Sequence, residues 1–129
     1  MKILGIGVDI INNKRIKFSI RKKDFIKRIF SQNEIKFSKK IKQKTNYFAK
    51  RYAAKEALSK ALGTGFRNDL NFNDIEILNN KIGKPYYFKS KKIDNIISKK
   101  FKIKRYNLFL SITDEKDYSI AFTIIQSRQ

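Results

Sequence analysis

Glu56 and Lys60 are the pair of side chains in this sequence best placed to do chemistry. They lie in the segment RYAAKEALSKALGTG, residues 51–65, and its run of Ala, Leu, Lys and Glu residues favours a helix. Residues four apart share one face of a helix, so the carboxylate and the ammonium are expected to project together, beside the small Ala53, Ala57 and Ala61. The same helix also carries the basic residues Arg51 and Lys55. Such a pair is either a surface ion pair or half of a site for a metal ion and a phosphate.

A second carboxylate, Asp9, follows two glycines on a predicted strand over residues 2–11. Alternation places the apolar side chains on one face of that strand and Gly5, Gly7 and Asp9 on the other. The glycines leave the second face bare, which lets another element pack closely against it. Asp9 could cap a turn or pair with a nearby lysine. Alternatively, it could join Glu56 in holding one Mg²⁺ ion, which typically takes only one or two protein carboxylates.

Length and composition limit the chemistry that is available. The chain has 129 residues, which predicts a single domain over residues 1–129. It has no cysteine and no histidine, so disulfides, thiol catalysis and the commonest metal ligands are excluded, and any metal site must be rich in oxygen. The apolar N-terminal segment is too short to span a bilayer and is followed by basic residues. A cytoplasmic protein that does not use a membrane is therefore expected.

The net charge of +20 favours an acidic partner, which could be a nucleic acid or a protein. A compositional preference for lysine over arginine explains part of this charge. It does not explain the clustering of basic residues between Lys14 and Arg28, where apolar residues including Phe18 and Phe25 are interspersed. A basic surface with apolar anchors suits an acidic helical protein as well as it suits a phosphate backbone.

The remaining elements must position these residues. An S-x-x-E capping box at Ser31–Glu34 predicts a helix near residues 33–42. Thr45 or Asn46 is expected to begin the long helix 47–62, and Gly63 to end it. The other expected elements are a basic helix over residues 22–30, a loop over 64–73, a hairpin of strands near 74–78 and 84–88, a helix over 92–100, and a final hairpin of strands 106–113 and 118–125, with no disordered tail before residues 126–129. This segregation of helices from strands predicts the α+β class.

Five short motifs occur in an order and spacing that resembles a known family. They are GVDI at residues 7–10, FAKRYAAKEALSKALGTG at 48–65, DIEI at 74–77, GKP at 83–85 and LSIT at 110–113. Together they resemble the holo-acyl-carrier-protein synthases of the 4′-phosphopantetheinyl transferase superfamily, over nearly the whole chain. The resemblance implies an antiparallel sheet packed against a long helix, assembled as a homotrimer with active sites between subunits. It also implies Mg²⁺-dependent transfer of the 4′-phosphopantetheine arm from coenzyme A to a serine of an acidic apo-acyl carrier protein, in fatty acid biosynthesis.

The family's functional residues carry over onto matching positions. The resemblance implies that Asp9 and Glu56 are the magnesium ligands, and that Lys60 contacts the coenzyme A phosphates and assists the leaving group. The further positions implied to contact coenzyme A are Arg51, Gly63, Lys84 and Thr113. The positions implied to contact the carrier protein are Arg15, Phe25 and Arg28.

One position departs from the family pattern. Many members have histidine after the S-[IV]-[ST] sequence, where this chain has Asp114. A carboxylate there donates no hydrogen bond at neutral pH and repels phosphate, so any nucleotide contact of that histidine is in doubt. Two alternatives stay open: a nucleic-acid-binding module without catalysis, which leaves Asp9 and Glu56 unexplained, and a transferase for a specialised carrier protein.

Overall fold

The computed structural model describes residues 1–66 and 69–128. Within them the elements follow one another as β1 Ile3–Asn12, α1 Asn13–Ser19, α2 Lys23–Ile29, α3 Gln32–Ser38, α4 Lys44–Leu62, a 3₁₀ turn Phe72–Asp74, β2 Ile77–Asn79, β3 Pro85–Tyr87, α5 Lys91–Phe101, β4 Tyr106–Asp114 and β5 Tyr118–Ser127. This is the α+β class that the sequence predicts. No helix in the described ranges has the length and apolar character needed to cross a membrane.

Most of the predicted elements are present, with shifted ends. The strand predicted from residue 74 begins only at Ile77, because residues 72–74 form the 3₁₀ turn. The helix predicted over 33–42 ends at Ser38. Helix α1 was not predicted; Asn12 caps it by accepting a hydrogen bond from the backbone N–H of Lys14. The predicted loop 64–73 and tail 126–129 extend in part outside the described residues.

Local capping explains two of the three predicted helix ends. The capping box of α3 is present, with Ser31 and Glu34 bonding each other's backbone N–H groups. Gly63 ends α4 with φ of +79°, a left-handed conformation that glycine adopts without steric cost. The predicted start of α4 is wrong: the helix begins at Lys44, and Asn46 donates instead to Asp114 at 2.7 Å.

The main sheet has the strand order β1-β5-β4, and all its pairs are antiparallel. Strands β2 and β3 form a separate hairpin. Helix α4 packs along the glycine face of β1. A Cβ atom at Gly7 would lie 1.8 Å from the carbonyl oxygen of Ala57, and one at Gly5 would lie 2.0 Å from that of Ala61. Only glycine permits this close approach, so α4 packs against the bare face that the sequence predicts.

The opposite face of the sheet is apolar and exposed. Ile6, Val8 and Ile10 of β1 lie across from β5 residues in the ladder, with Val8 directly opposite Phe122. The side chains of Ile6, Val8, Ile10, Phe109 and Phe122 are between 40% and 59% exposed; we call this surface the outer sheet face. The glycine face cannot contact a neighbouring subunit because α4 covers it, whereas the outer sheet face can.

Candidate active site

The close packing of α4 on β1 brings Asp9 next to the KEALSK segment. The Lys60 ammonium donates to Asp9 Oδ1 at 2.9 Å and to the carbonyl oxygen of Val8 at 3.0 Å. The side chain of Lys60 is 52% exposed and that of Asp9 is 14% exposed, so the ammonium is open to solvent while the carboxylate is largely covered. The predicted pairing of Lys60 with Glu56 is replaced by this contact with Asp9. The alternative that Asp9 pairs with a lysine is therefore realised, and that lysine belongs to the same site.

Glu56 shares this site and is half-buried. Burial, and then the negative charge of Asp9, raise the pKa of the Glu56 carboxyl above its usual value, while the charges of Lys60 and Arg15 oppose that rise. Two carboxylates that repel each other in a partly desolvated cleft are a common arrangement for binding a cation. A bound divalent ion would remove the repulsion.

The donor set fits magnesium and does not fit a softer metal. Asp9 and Glu56 offer only carboxylate oxygens, and in the described part of the chain no third acidic residue joins them to form a denser cluster. Two carboxylates leave most of an octahedral shell for water and phosphate oxygens, which is how Mg²⁺ is usually held beside phosphorylated substrates.

A cavity of about 550 Å³ is lined by Tyr52, which precedes Glu56 by about one turn of α4; we call it the aromatic cavity. Its lining includes Arg15, Phe25, Arg28, Tyr52, Phe66 and Phe72. The rings of Phe25 and Phe72 both stack on Tyr52, at centroid distances of 6.3 and 5.3 Å. The cavity therefore contains all three residues expected to contact the carrier protein, about one helical turn from a candidate magnesium ligand.

Arg51 lies on a different face of α4 from Glu56. It lies nine positions before Lys60, and at ~100° per residue this places the two on opposite faces of α4. The Arg51 guanidinium lies 3.9 Å from the ring centroid of Tyr47 and donates to the side-chain oxygen of Asn79. Burial lowers its pKa.

A second cavity, of about 470 Å³, lies on the Arg51 side of α4; we call it the Arg51 cavity. Its lining includes Asn46, Lys50, Arg51, Asn79 and Asp114. Asp114, the position that departs from the family pattern, accepts a hydrogen bond from the side-chain amide of Asn46 at 2.7 Å. The cavity therefore combines two cations with a carboxylate whose orientation is fixed.

The other expected coenzyme A contacts are dispersed in one copy of the chain. Lys84 is exposed on the β2–β3 hairpin, whose Asn79 bonds Arg51. Thr113 is exposed on β4, and Gly63 lies at the far end of α4. The structure thus brings Asp9, Glu56 and Lys60 together at one site. It places Arg51 at a separate site, the Arg51 cavity.

Sequence reasoning missed several residues of both cavities. Tyr52 lies four residues before Glu56 on the same helix face, a spacing that could have identified it. Phe72 and Asn79 carry no comparable signal, because tertiary packing alone brings them to α4.

The chain is similar to known proteins over nearly its whole length. Residues 5–123 match the model of the 4′-phosphopantetheinyl transferase superfamily. The holo-[acyl-carrier-protein] synthase of Pelagibacter ubique is 56% identical over 128 residues, covering 99% of this chain and all of the relative. That of Clostridium tetani is 45% identical over 126 residues, 96% of each chain.

Solved structures of the same kind superpose on this one. A holo-(acyl-carrier-protein) synthase from Bacillus anthracis, in complex with CoA (3′,5′-ADP), has a TM-score of 0.82 and 35% identity, covering 99% of this chain and 100% of that chain. The synthase from Neisseria meningitidis has a TM-score of 0.85 and 35% identity, covering 97% and 99% of the two chains.

Proposed function

Because this chain belongs to the 4′-phosphopantetheinyl transferase superfamily, we infer that it is a holo-[acyl-carrier-protein] synthase. It transfers the 4′-phosphopantetheine moiety from coenzyme A to a serine of apo-acyl carrier protein. The observation that carries this function is the meeting of Asp9, from β1, with Glu56 and Lys60, from α4. A nucleic-acid-binding module has no use for this group.

The reaction forms one P–O bond and breaks another, and the serine hydroxyl gives up its proton. The serine oxygen of the carrier attacks the β-phosphorus of the coenzyme A pyrophosphate, the bridging P–O bond breaks, and adenosine 3′,5′-bisphosphate leaves. Such phosphoryl-type transfers need mainly positioning and stabilisation of charge. Histidine is therefore not required, in keeping with a chain that has none.

We propose that Asp9 and Glu56 hold one Mg²⁺ ion, which when bound neutralises pyrophosphate oxygens. Lys60 is half-exposed beside Asp9, and its ammonium has three donors. It can therefore keep its contact with the Asp9 carboxylate and also donate to the departing phosphate. The serine proton would pass to a carboxylate of this site or to a water molecule beside it.

The carrier protein is proposed to dock at the aromatic cavity. Arg15 and Arg28 supply positive charge at its rim and Phe25 supplies an apolar contact. Acyl carrier proteins are expected to be acidic, and a positive surface would steer an acidic partner toward the cleft. Docking there would place the carrier's serine near Glu56.

We further propose that the chain acts as a homotrimer assembled through the outer sheet face. The apolar residues of that face are exposed in one copy, and contiguous apolar patches of this kind mark interaction sites. Assembly would also complete the active site, since Asp9 and Arg51 lie on opposite faces of α4 in a single chain. The Arg51 cavity of one subunit would then contact the coenzyme A molecule that is bound at Asp9 and Glu56 of the neighbouring subunit.

Mass spectrometry of the carrier tests the function directly. Purified protein is incubated with apo-carrier, coenzyme A and Mg²⁺, and the carrier is expected to gain one phosphopantetheine mass. Carriers of fatty acid and of specialised pathways are assayed side by side. No gain on any carrier with the wild-type protein overturns the proposal, whereas a gain on a specialised carrier alone changes only the identity of the partner.

A further inference from the structure

Lys55, the residue before Glu56 on α4, has a completely buried side chain. Lysine is almost never fully buried unless its charge is paired. Its ammonium donates to Glu34 Oε1 at 2.7 Å, to the carbonyl oxygen of Phe72 at 3.0 Å and to the carbonyl oxygen of Ile75. Three donors therefore meet three acceptors, which fixes the ammonium in place.

Its partner Glu34 is also fully buried and uses both carboxylate oxygens. Oε1 accepts a second hydrogen bond, from the backbone N–H of Ser31 at 2.9 Å. Oε2 accepts from the backbone N–H of Ile77 at 2.9 Å. Burial lowers the pKa of Lys55, and the charge of Glu34 opposes this. The pair thus joins three parts of the chain: α3, α4 and the segment 72–77.

The segment that Lys55 holds carries one wall of the aromatic cavity. The Phe72 ring stacks on Tyr52 at 5.3 Å and on Phe66 at 3.7 Å between centroids. Tyr52 precedes Glu56 by about one helical turn. The backbone position of Phe72, which Lys55 sets, therefore determines where this wall stands relative to Glu56.

Stability alone does not require an ion pair here. Replacing a buried ion pair with neutral side chains of similar volume is often neutral or stabilising, because desolvating two charges costs about as much as their attraction returns. Such a pair does hold backbone groups in one arrangement, since each oxygen and each N–H must keep its partner.

We propose that Lys55 and Glu34 are positioning residues for the transfer reaction: their ion pair holds the 72–77 segment against α4 and so fixes the wall of the aromatic cavity that receives the carrier protein. The inference rests on the proposed function of that cavity. It assigns the pair no contact with substrate.

The test is the double variant Lys55→Met/Glu34→Gln, which removes both charges and keeps similar volumes. A folded, cooperatively unfolding variant is expected to show a KM for the carrier raised about tenfold or more, because small displacements of a positioning surface are costly. The KM for coenzyme A and the Mg²⁺ concentration for half-maximal activity are expected to stay within about twofold of wild type. If this variant does not fold, Lys55→Arg replaces it, with the same result expected, because a guanidinium cannot reproduce the three contacts of the ammonium.

Lys92→Met is the matched control. Lys92 pairs with Asp74 of the same 3₁₀ turn at 2.7 Å, but at 42% and 22% exposure of the two side chains. An exposed ion pair of this kind contributes little free energy to holding the turn in place. The KM for the carrier is therefore expected to stay at the wild-type value. An equal rise in Lys92→Met would overturn the proposal, as would an unchanged carrier KM in the folded double variant.

Amide hydrogen exchange without substrate gives a second readout that is independent of activity. The amides of residues 75–77 are expected to exchange faster in the double variant, relative to those of β4 and β5. If wild-type protein modifies no carrier, the proposed function fails, and unchanged exchange at these amides would then overturn the positioning role as well. Faster exchange would still show that the Lys55–Glu34 pair holds residues 75–77 in place, even if the proposed function failed.

Discussion

The Lys60 ammonium donates to Asp9 Oδ1 at 2.9 Å, and the two residues are 51 positions apart in the chain. This contact exists because Gly5 and Gly7 let α4 lie directly on β1. It brings Asp9 of β1 together with Glu56 and Lys60 of α4.

Asp9→Ala and Glu56→Ala are each expected to lower the transfer rate at saturating Mg²⁺ by about 100-fold or more, through loss of charge stabilisation. The rate is measured by mass spectrometry of the carrier. Asp117→Asn, which changes an exposed acid in the β4–β5 turn, is the control and should act at the wild-type rate. Full activity in either alanine variant would refute the assignment of the metal ligands while leaving the enzyme's function standing.

The stability of the metal-free protein should depend on pH through the Glu56 carboxyl. Burial and the charge of Asp9 raise the pKa of Glu56, so the folded state holds this proton at pH values where the unfolded state has lost it. Stability from this group is present at low pH and is lost as pH rises through the raised pKa. In EDTA, Glu56→Gln should therefore unfold at a higher temperature than wild type at neutral pH, and this difference should disappear below the usual pKa of glutamate. A difference that is independent of pH would contradict the assignment.

The same shift predicts how magnesium activation varies with pH. A cation needs the deprotonated carboxylate, so the Mg²⁺ concentration for half-maximal activity should rise as pH falls toward the usual glutamate range. Initial rates measured over a grid of Mg²⁺ concentration and pH test this. A half-maximal concentration that is constant across that range would count against Glu56 as a ligand.

Gly7→Ala should destabilise the fold severely. Its Cβ would lie 1.8 Å from a backbone oxygen of Ala57, and neither β1 nor α4 can move without losing core contacts, so a loss of about 3 kcal/mol or more in the free energy of unfolding is expected. Gly65→Ala is the matched control. Gly65 has φ of +62° and no atom within 4 Å of an added Cβ, so only the cost of the left-handed backbone, about 1 kcal/mol, applies. Chemical denaturation of both variants decides the comparison.

Phe122→Glu should weaken self-association by burying a charge in an apolar interface. Light scattering is expected to show a trimer for wild type and smaller species for the variant, with transfer activity reduced in parallel. Ile82→Glu makes the same kind of change at a residue that is 88% exposed on the β2–β3 turn, and it should leave the trimer intact. A trimer that persists in Phe122→Glu would place the interface elsewhere.

Much of this fold could be predicted from sequence, because its signals are local. Alternation identified β1, and the high content of Ile, Leu and Phe identified β4 and β5. The S-x-x-E pattern identified the start of α3, and Gly63 identified the end of α4. The start of α4 was mispredicted because Asn46, a good capping residue, bonds Asp114 instead. Helix α1 was missed because the basic residues from Lys14 to Arg21 carry only a weak helical period.

The identities and order of Asp9, Glu56 and Lys60, and the family motifs around them, were determined by the sequence alone. Which groups meet was decided only by tertiary structure. Lys60 bonds Asp9 rather than Glu56, because the glycine face of β1 fixes how the helix lies on the sheet. The burial of Lys55 against Glu34 follows from the same packing: helical spacing shows which residues share a face, but it does not show which face the core will cover.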